Sequence, residues 1–391
     1  MSGDAKRVMV VGAGIMGGMH ARAVASRGDL RLVAVVDSLP GAAEALAGRL
    51  GAAWYTDVGD AIDAQRPQVV VLATPDWAHR GPFEACLRGD VETIIVEKPL
   101  ATTVEDAEAM VRAAASKGVM VLVNYSNRCD PLLVATRWAV EAGLVGDPVY
   151  LDLRLDDDVS VPRGLWGGRS REWAARSSPL HFLLPHLVDL AAWLLGGVRL
   201  HVRAASATSR VLPDSLDLVE ILGSTPAGTA VRLKSEWVRH SSSLVEFDIS
   251  ITGSRGTVVY RKLSGPLAQP GWCLVVEPSE PDPALDAFIQ RVVANWRASV
   301  CVSRSSRTDP DRRMSWVQVA IGPTSGPPGF AYLLDAAVER TPVPARWKAL
   351  GAGPLPTGEE ALACVRVLAE AGRLLRPAAG REGPARREAE G

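Results

Sequence analysis

The 391-residue chain has few of the features that mark secreted, membrane-spanning or nucleic-acid-binding proteins. Its formal net charge is −1, so no excess of charge favours nucleic acid or an anionic membrane as a partner. Its apolar runs, such as 32–36, are far shorter than the roughly 18 residues that a membrane helix needs. Because polar residues lead directly into an apolar strand, we also expect no signal peptide.

Cysteine is scarce and scattered. The five cysteines are odd in number, and none lies in a CxxC pair. This usage predicts reduced thiols in a cytoplasmic protein. His181, His186 and Asp189 lack supporting cysteine or glutamate ligands, so we predict no metal site. Hydrophobic residues make up 47% of the chain and charged residues 22%, which indicates a large core, and the length fits two domains.

The first part of the chain alternates short apolar strands with helices. We predict strands at 7–12, 30–37, 68–73, 93–96 and 119–124. The predicted helices lie at 15–27, 41–50 and 78–87, with another that Thr103 and Asp106 begin and Gly118 ends. Apolar strands separated by helices indicate a parallel sheet covered on both faces.

The pattern changes after a predicted helix at 131–142. Alternating strands at 150–155, 200–205, 218–222, 230–237, 245–252 and 256–261 predict a mostly antiparallel sheet, interrupted by a helix at 183–195. The stretch 303–329 is rich in serine, arginine, proline and glycine and predicts a long loop. A capping box at Thr357 and Glu360 predicts a final helix to about residue 375, and we expect 376–391 to be a disordered tail.

A GxGxxG motif lies between the first strand and the first helix. Its glycines, Gly12, Gly14 and Gly17, permit a tight turn, and Ile15 and Met16 begin a helix whose amides suit a pyrophosphate. Asp37 follows twenty residues after Gly17, where a carboxylate accepts hydrogen bonds from ribose hydroxyls. The motif predicts NAD or NADP, and Asp37 favours NAD because it would repel a 2′-phosphate. Ser38 and Arg49 keep NADP open, and a tight turn without nucleotide is the alternative.

Residues 96–101 contain Glu97-Lys98-Pro99 and resemble the signature segment of the glucose–fructose oxidoreductase, inositol dehydrogenase and MocA family. The segments 73–79, 124–128, 143–148, 186–190 and 356–359 are similar to other parts of that family. The resemblance implies a Rossmann domain over 1–127 and an open, mostly antiparallel sheet domain with helices on one face over 128–375. It further implies a homodimer or homotetramer formed through that sheet. The residues that it places along the cofactor are Thr74, Pro75, His79, Glu97, Lys98 and Asn127.

Lys98 and His186 are the candidate catalytic residues. Lys98 ends a predicted parallel strand, where open α/β sheets bind ligands, and its ammonium can stabilise a developing alkoxide. The resemblance implies an acid–base role for His186, which we expect to titrate near neutrality. The alternatives are a surface lysine and a packed helical histidine, with Asp189 in a supporting position on the same helix face.

Many family members carry an aspartate four residues before this histidine, whereas this chain has Phe182, preceded by His181. The proton relay must therefore be rebuilt, or the substrate differs from a simple polyol. Residues in the stretch where the family forms its substrate pocket suit a sugar ring bearing an acidic group, although solvated arginines and core tryptophans are an equal alternative. The candidate substrate residues are Arg128, Arg163, Trp166, Arg169, Trp173, Phe182 and His186.

These observations predict an NAD(P)-dependent oxidoreductase acting on a secondary alcohol or ketone of a small sugar, cyclitol or sugar-acid-like molecule. An imine or ketone reductase of secondary metabolism and a glycosidase that recycles bound NAD are the enzymatic alternatives. A regulatory protein that binds nucleotide without turnover is a fourth, and the presence of both Lys98 and His186 argues against it.

Overall fold

A computed structural model describes residues 5–165, 172–212, 215–263, 271–309, 312–322 and 329–375. Trp166, Arg169 and the predicted tail at 376–391 lie outside the described residues. Within the described ranges, no helix is long and apolar enough to cross a membrane.

The first sheet is parallel and has six strands in the order β3-β2-β1-β4-β5-β6. Its inner strands are buried on both faces, as their continuous apolar sequences predict. The order reverses between β1 and β4, and ligands of open α/β sheets bind at the carboxyl ends of strands beside such a reversal. The strands are β1 Lys6–Val11, β2 Leu30–Val36, β3 Ala53–Tyr55, β4 Val69–Leu72, β5 Thr93–Val96 and β6 Met120–Val123.

Five helices connect these strands. Thr103 caps the fifth helix by accepting a hydrogen bond from the backbone N–H of Asp106, and Gly118 ends it in the left-handed conformation, as predicted. The third helix and β3 were not predicted, because β3 has only three partly exposed residues at the sheet edge. The helices are α1 Ile15–Ala25, α2 Pro40–Leu50, α3 Val58–Gln65, α4 Arg80–Cys86 and α5 Val104–Lys117.

The second sheet has nine strands in the order β14-β15-β13-β12-β11-β7-β10-β9-β8. All of its pairs are antiparallel except β7 with β10, which confirms the prediction of a mostly antiparallel sheet. The strands are β7 Pro148–Asp158, β8 His201–Thr208, β9 Leu218–Ser224, β10 Ala230–Arg239, β11 Val245–Gly253, β12 Gly256–Lys262, β13 Gly271–Val276, β14 Val300–Asp309 and β15 Arg312–Ile321.

Helices pack beside this sheet and link it to the first. The helix α9 packs on β7 and β10, and α13 contacts α5, α9 and β8. The predicted capping box begins α13, because Glu360 Oε2 accepts from the backbone N–H of Thr357 at 3.0 Å. The helices are α6 Pro131–Glu141, α7 Ser160–Arg163, α8 Pro179–Phe182, α9 Leu184–Leu194, α10 Pro283–Trp296, α11 Gly329–Glu339, α12 Ala345–Leu350 and α13 Gly358–Leu375.

The prediction of a long loop at 303–329 is wrong. Most of that stretch belongs to the hairpin of β14 and β15 and to the start of α11. The strand β14 lies at the sheet edge, where polar and charged side chains are compatible with a strand. The overlooked signal is the alternation of Val317, Val319 and Ile321, which are all at most 1% exposed.

Candidate functional site

The glycine loop brings β1, α1 and the end of β4 into close contact. Gly12 has φ +99°, and a Cβ there would lie 2.4 Å from the carbonyl oxygen of Ala73. A Cβ on Gly17 would lie 1.7 Å from the carbonyl oxygen of Gly12. A Cβ on Gly14, in contrast, would meet nothing within 4 Å. Two glycines are therefore required by the fold, while the third leaves open space at the start of α1, beside exposed Ile15 and Met16.

Asp37 ties the end of β2 to this loop. Its Oδ2 accepts a hydrogen bond from the backbone N–H of Ala13 at 2.8 Å, and its Oδ1 accepts from that of Leu39 at 2.9 Å. Each carboxylate oxygen keeps a lone pair for a further donor such as a ribose hydroxyl. Ser38 is exposed beside it. The close-packed turn, the open space at Gly14 and this carboxylate fit a dinucleotide.

The segment after β4 is held by His79. This buried histidine faces the carbonyl oxygen of Thr74 with Nε2 at 3.1 Å and that of Leu100 with Nδ1 at 3.2 Å. It therefore joins the segments that follow β4 and β5 from within the protein. Pro75 immediately precedes a 3-10 turn, and Asn127 lies in another turn after β6.

Glu97 is buried between three elements. Its Oε1 accepts from Nδ2 of Asn124 at 2.7 Å and lies 2.7 Å from Nε2 of His20 on α1. Burial alone would raise the pKa of Glu97, but the contacts with His20 and Asn124, together with the charge of Lys98, lower it below the ordinary value. The structure thus directs Glu97 inward, where it anchors the segment that carries Lys98. His20 and Asn124 were not among the predicted site residues.

Lys98 lies directly after β5, at the carboxyl edge of the parallel sheet. Its Nζ donates a hydrogen bond to the carbonyl oxygen of Phe182 at 2.7 Å and lies 3.6 Å from the centroid of the Phe182 ring. Burial lowers the pKa of Lys98, while the charges of Glu97, Asp76 and Asp157 oppose that change. The ammonium is therefore held in a largely desolvated place, where its interactions with charge are strong.

His186 lies in the first turn of α9, with its ring centroid 6.2 Å from that of Tyr125. Its Nδ1 is buried and finds no hydrogen-bond partner among the described residues. Burial, and then the nearby charge of Lys98, lower the pKa of His186 well below its ordinary value. The imidazole is therefore neutral at neutral pH, which corrects the expectation that it titrates there.

Two carboxylates that were not predicted as site residues act on the charge of Lys98. Asp157 is 3% exposed near the end of β7, and its Oδ2 has no hydrogen-bond partner within the described part of the chain. Burial raises the pKa of Asp157 to about 7, although Lys98 lowers it. Asp76 accepts a hydrogen bond from the Ser177 hydroxyl at 2.6 Å through one oxygen, and its other oxygen is buried and has no partner in the part of the chain that the structure describes.

Aromatic rings form a wall beside Lys98. The ring centroids of Phe182 and Trp173 are 4.5 Å apart, and Trp237 lies 4.9 Å from Trp173 and 5.9 Å from Phe182. The structure thus brings two of the candidate substrate residues together, with Trp237 as a third that was not predicted. Arg163 lies on α7 and is exposed.

Arg128 is held in a buried ion pair with two carboxylates. Its Nε and Nη2 donate to the two oxygens of Asp189 at 2.7 and 2.5 Å, and its Nη1 donates to Glu360 at 3.2 Å. Burial raises the pKa of Asp189 to about 6, and Arg128 opposes this change. This buried ion pair joins the turn after β6 to α9 and α13, which indicates a structural role for Arg128 in place of the expected substrate contact.

Comparison with known proteins agrees with this arrangement. Residues 6–125 match the model of the oxidoreductase family with an NAD-binding Rossmann fold, and residues 133–259 match the GFO/IDH/MocA C-terminal domain. Inositol 2-dehydrogenase of Rubrobacter xylanophilus is 32% identical over 279 residues, which cover 70% of this chain and 76% of that protein. The chain belongs to the GFO/IDH/MocA family. The family that the Glu97-Lys98-Pro99 segment indicated is thereby confirmed.

Solved structures of the GFO/IDH/MocA type share the fold along nearly the whole chain. GenD2 from gentamicin A biosynthesis, solved with NAD, has a TM-score of 0.68 at 19% identity and covers 96% of this chain and 95% of its own. The WlbA dehydrogenase of Bordetella pertussis, solved with NADH and UDP-GlcNAcA, has a TM-score of 0.69 at 21% identity and covers 95% of this chain and 96% of its own. This GFO/IDH/MocA chain is therefore an oxidoreductase with an NAD-binding Rossmann domain.

Proposed function

We propose that this enzyme transfers a hydride between NAD and a secondary alcohol or ketone of a sugar, cyclitol or sugar-acid-like substrate. One observation carries the proposal: the Lys98 ammonium lies at the carboxyl edge of β5, close enough to the His186 imidazole to lower its pKa. A cation beside a neutral imidazole is suited to stabilise an alkoxide and to orient a hydroxyl.

The cofactor supplies the acceptor or donor for the hydride. The loop at Gly12, Gly14 and Gly17 would hold its pyrophosphate against the amides at the start of α1. Asp37 would accept the ribose hydroxyls. Its fixed position supports NAD over NADP, because a carboxylate held by two backbone amides cannot turn away from a 2′-phosphate.

Lys98 would act on the substrate oxygen. In the present structure its Nζ is bonded to the carbonyl oxygen of Phe182, and two further N–H groups remain for other acceptors. Because the site is desolvated, a preorganised ammonium stabilises a developing alkoxide more than it would in water. His186 would accept the hydroxyl hydrogen bond through a neutral ring nitrogen.

The pocket wall supports a ring-shaped substrate. Phe182 and Trp173 offer apolar surface, on which the C–H face of a sugar or cyclitol ring can pack. Proteins similar to this chain are named inositol 2-dehydrogenase and scyllo-inositol 2-dehydrogenase, and WlbA was solved with UDP-GlcNAcA. The phenylalanine also supports a second candidate function, the reduction of a less polar ketone or imine.

A cofactor-coupled screen tests the proposal. The enzyme would be incubated with NAD⁺ or NADP⁺ and with myo-inositol, scyllo-inositol, glucose or UDP-N-acetylglucosamine, and the absorbance of the reduced nicotinamide would be followed. We expect turnover with at least one of them and faster turnover with NAD⁺. Lys98→Met should reduce kcat by about 100- to 1000-fold while NADH binding persists. The control Lys117→Met, at the exposed end of α5, should behave as wild type. Wild-type protein that turns over none of these compounds with either cofactor would contradict the proposal.

We also propose that the exposed face of the nine-stranded sheet joins two or four copies of the chain. Tyr150 and Leu222 are large hydrophobic residues on that face, and they are 37% and 44% exposed. On the same face, Arg232 forms ion pairs with Asp152 at 3.1 Å and with Glu220 at 2.7 Å. Light scattering should give a dimer or tetramer, and a monomer at micromolar concentration would contradict this.

A further inference from the structure

The strand β7 places one carboxylate in a row of leucines. Leu151, Leu153 and Leu155 are buried at 0 to 5% exposure, and Asp157 continues the same alternation at 3%. Because side chains two residues apart point to the same face of a strand, Asp157 lies on the face that α9 covers. The helix α9 carries His186, so the strand directs Asp157 into the candidate active site.

The neighbouring residue Asp156 shows that burial in β7 does not by itself leave an aspartate unpaired. Asp156 points to the opposite face and is fully buried, and its Oδ1 accepts from Lys234 Nζ at 2.9 Å. Asp157, in contrast, forms no ion pair with any residue that the structure describes, and the cation that acts on its pKa is Lys98. Of these two buried aspartates, one is committed to an ion pair and the other experiences the charge of Lys98.

Three residues near Lys98 or Asp157 carry buried polar atoms without a partner within the described ranges. Asp157 Oδ2, Trp237 Nε1 and His186 Nδ1 are all buried, and none has a hydrogen-bond partner among the described residues. The register of β10 and β7 pairs Glu236 with Asp156 and then shifts, and the Trp237 side chain lies close enough to Asp157 to lower the pKa of its carboxyl group. Trp237 lowers the pKa of Asp157, although the Nε1 atom of Trp237 makes no hydrogen bond of ordinary geometry to any described residue. Since buried polar groups are nearly always bonded, such atoms indicate a place for a polar ligand.

We propose that Asp157 is the proton-transferring carboxylate of this site and takes over the work that Phe182 cannot do. The inference rests on the proposed function, because it concerns the same alcohol or ketone substrate. Phe182 occupies the position where many family members carry an aspartate, and its ring lies over Lys98. The carboxylate of this chain reaches Lys98 from β7 instead of from the segment before α9.

The proposed step balances in both directions. During oxidation the O–H bond of the substrate hydroxyl breaks, and the proton passes to the Asp157 carboxylate. The C–H hydrogen leaves with its electron pair to oxidised nicotinamide, and the C=O bond forms. Asp157 then releases the proton to solvent. During reduction Asp157 in its neutral form returns the proton to the developing alkoxide.

The protonation behaviour of Asp157 supports this role. Burial raises its pKa to about 7, Lys98 lowers it, and Asp156 and Asp158 on the same strand raise it. His186 on α9 is neutral and adds no charge. A carboxyl group whose pKa lies near the working pH is present in both forms, as a proton acceptor and donor must be.

The test compares Asp157→Asn, Asp157→Glu and the control Asp147→Asn, which changes an exposed aspartate directly before the same strand. The probe is whichever of myo-inositol, scyllo-inositol, glucose and UDP-N-acetylglucosamine the wild-type enzyme oxidises fastest with NAD⁺. We expect Asp157→Asn to bind NADH normally, to lose about 100- to 10,000-fold in kcat, and to lose the inflection near pH 7 in its kcat profile. Asp157→Glu should recover part of kcat and show a shifted inflection, and Asp147→Asn should keep the wild-type kcat and inflection.

The outcomes separate the two proposals. If the wild-type enzyme oxidises a probe but Asp157→Asn keeps its kcat and its inflection, Asp157 is not the proton carrier and the hydride-transfer function still holds. A variant that loses kcat but keeps the inflection near pH 7 also overturns the role, since another group then titrates. If the wild-type enzyme oxidises none of the probes, the proposed function fails and the role of Asp157 fails with it.

Discussion

Lys98 is bonded to Phe182 in two ways: its Nζ donates to the backbone carbonyl oxygen at 2.7 Å and lies 3.6 Å from the centroid of the ring. The contact joins the carboxyl edge of the parallel sheet to α8 just before the helix that carries His186. An aromatic face attracts an ammonium but accepts no proton. The charge of Lys98 is therefore balanced by more distant carboxylates, Glu97, Asp76 and Asp157.

We expect Phe182 to act through packing. Phe182→Leu should lower the free energy of unfolding by about 1 kcal/mol, because the volume is nearly conserved. Phe182→Asp should lower it by roughly 3 kcal/mol, because it also removes the ring contacts with Trp173 and Trp237. Urea unfolding measures both values. Equal stability of Phe182→Asp and wild type would show that the aromatic wall does not depend on this ring.

One glycine of the loop should be needed for folding and another for NADH binding. Gly17→Ala should destabilise the protein, because its Cβ would lie 1.7 Å from the backbone of Gly12. Gly14→Ala should fold with an unchanged melting temperature, because its Cβ meets nothing in the protein, but should weaken NADH binding by about 10-fold or more where the pyrophosphate approaches. Thermal unfolding and NADH fluorescence titration provide the two measurements. A Gly14→Ala protein that binds NADH as tightly as wild type would show that the dinucleotide does not contact Gly14.

Asp37 should govern the choice of cofactor. Asp37→Ala removes charge-assisted hydrogen bonds to the ribose and should weaken NADH binding by about 1–3 kcal/mol. It should also narrow the preference for NADH over NADPH, because the repulsion of a 2′-phosphate is lost. The ratio of the two dissociation constants is the decisive readout, since a merely loosened loop would affect both cofactors alike. Glu44→Ala on the exposed part of α2 is the control.

Arg128 should matter for stability through Asp189. Arg128→Met leaves a buried carboxylate without its bidentate partner and should cost about 3–5 kcal/mol of unfolding free energy. The double variant Arg128→Met with Asp189→Leu should recover much of that loss, because no unpaired buried charge remains. Urea unfolding of the three proteins tests this. A stable Arg128→Met protein with a raised KM would instead support the substrate contact that the sequence indicated.

The fold and part of the site were predictable because their signals are local. The glycine loop, Asp37 and the Glu97-Lys98 segment each lie on a short stretch whose residue types and flanking strands are diagnostic. His20, Asn124 and Asp157 were overlooked because they reach the site from α1, β6 and β7, and only the packing of these elements brings them together. Arg128 illustrates the converse: its position in a family-like segment indicated a ligand, but its partner Asp189 is 61 residues away in sequence.

Stability should report the protonation of Asp157 independently of any substrate. The pKa of Asp157 is about 7 in the folded protein and about 4 in the unfolded chain. At a pH between these two pKa values, the unfolded chain releases a proton that the folded protein retains. The contribution of Asp157 to stability is therefore highest at low pH and falls as the pH rises to about 7.

Asparagine does not titrate. The unfolding free energy of Asp157→Asn relative to wild type should therefore rise between pH 4 and 8, by at most about 4 kcal/mol at 1.36 kcal/mol per pKa unit. Urea unfolding of both proteins at several pH values measures this difference, and groups common to both cancel. A difference that stays constant from pH 5 to 8 would show that Asp157 ionises at its ordinary value.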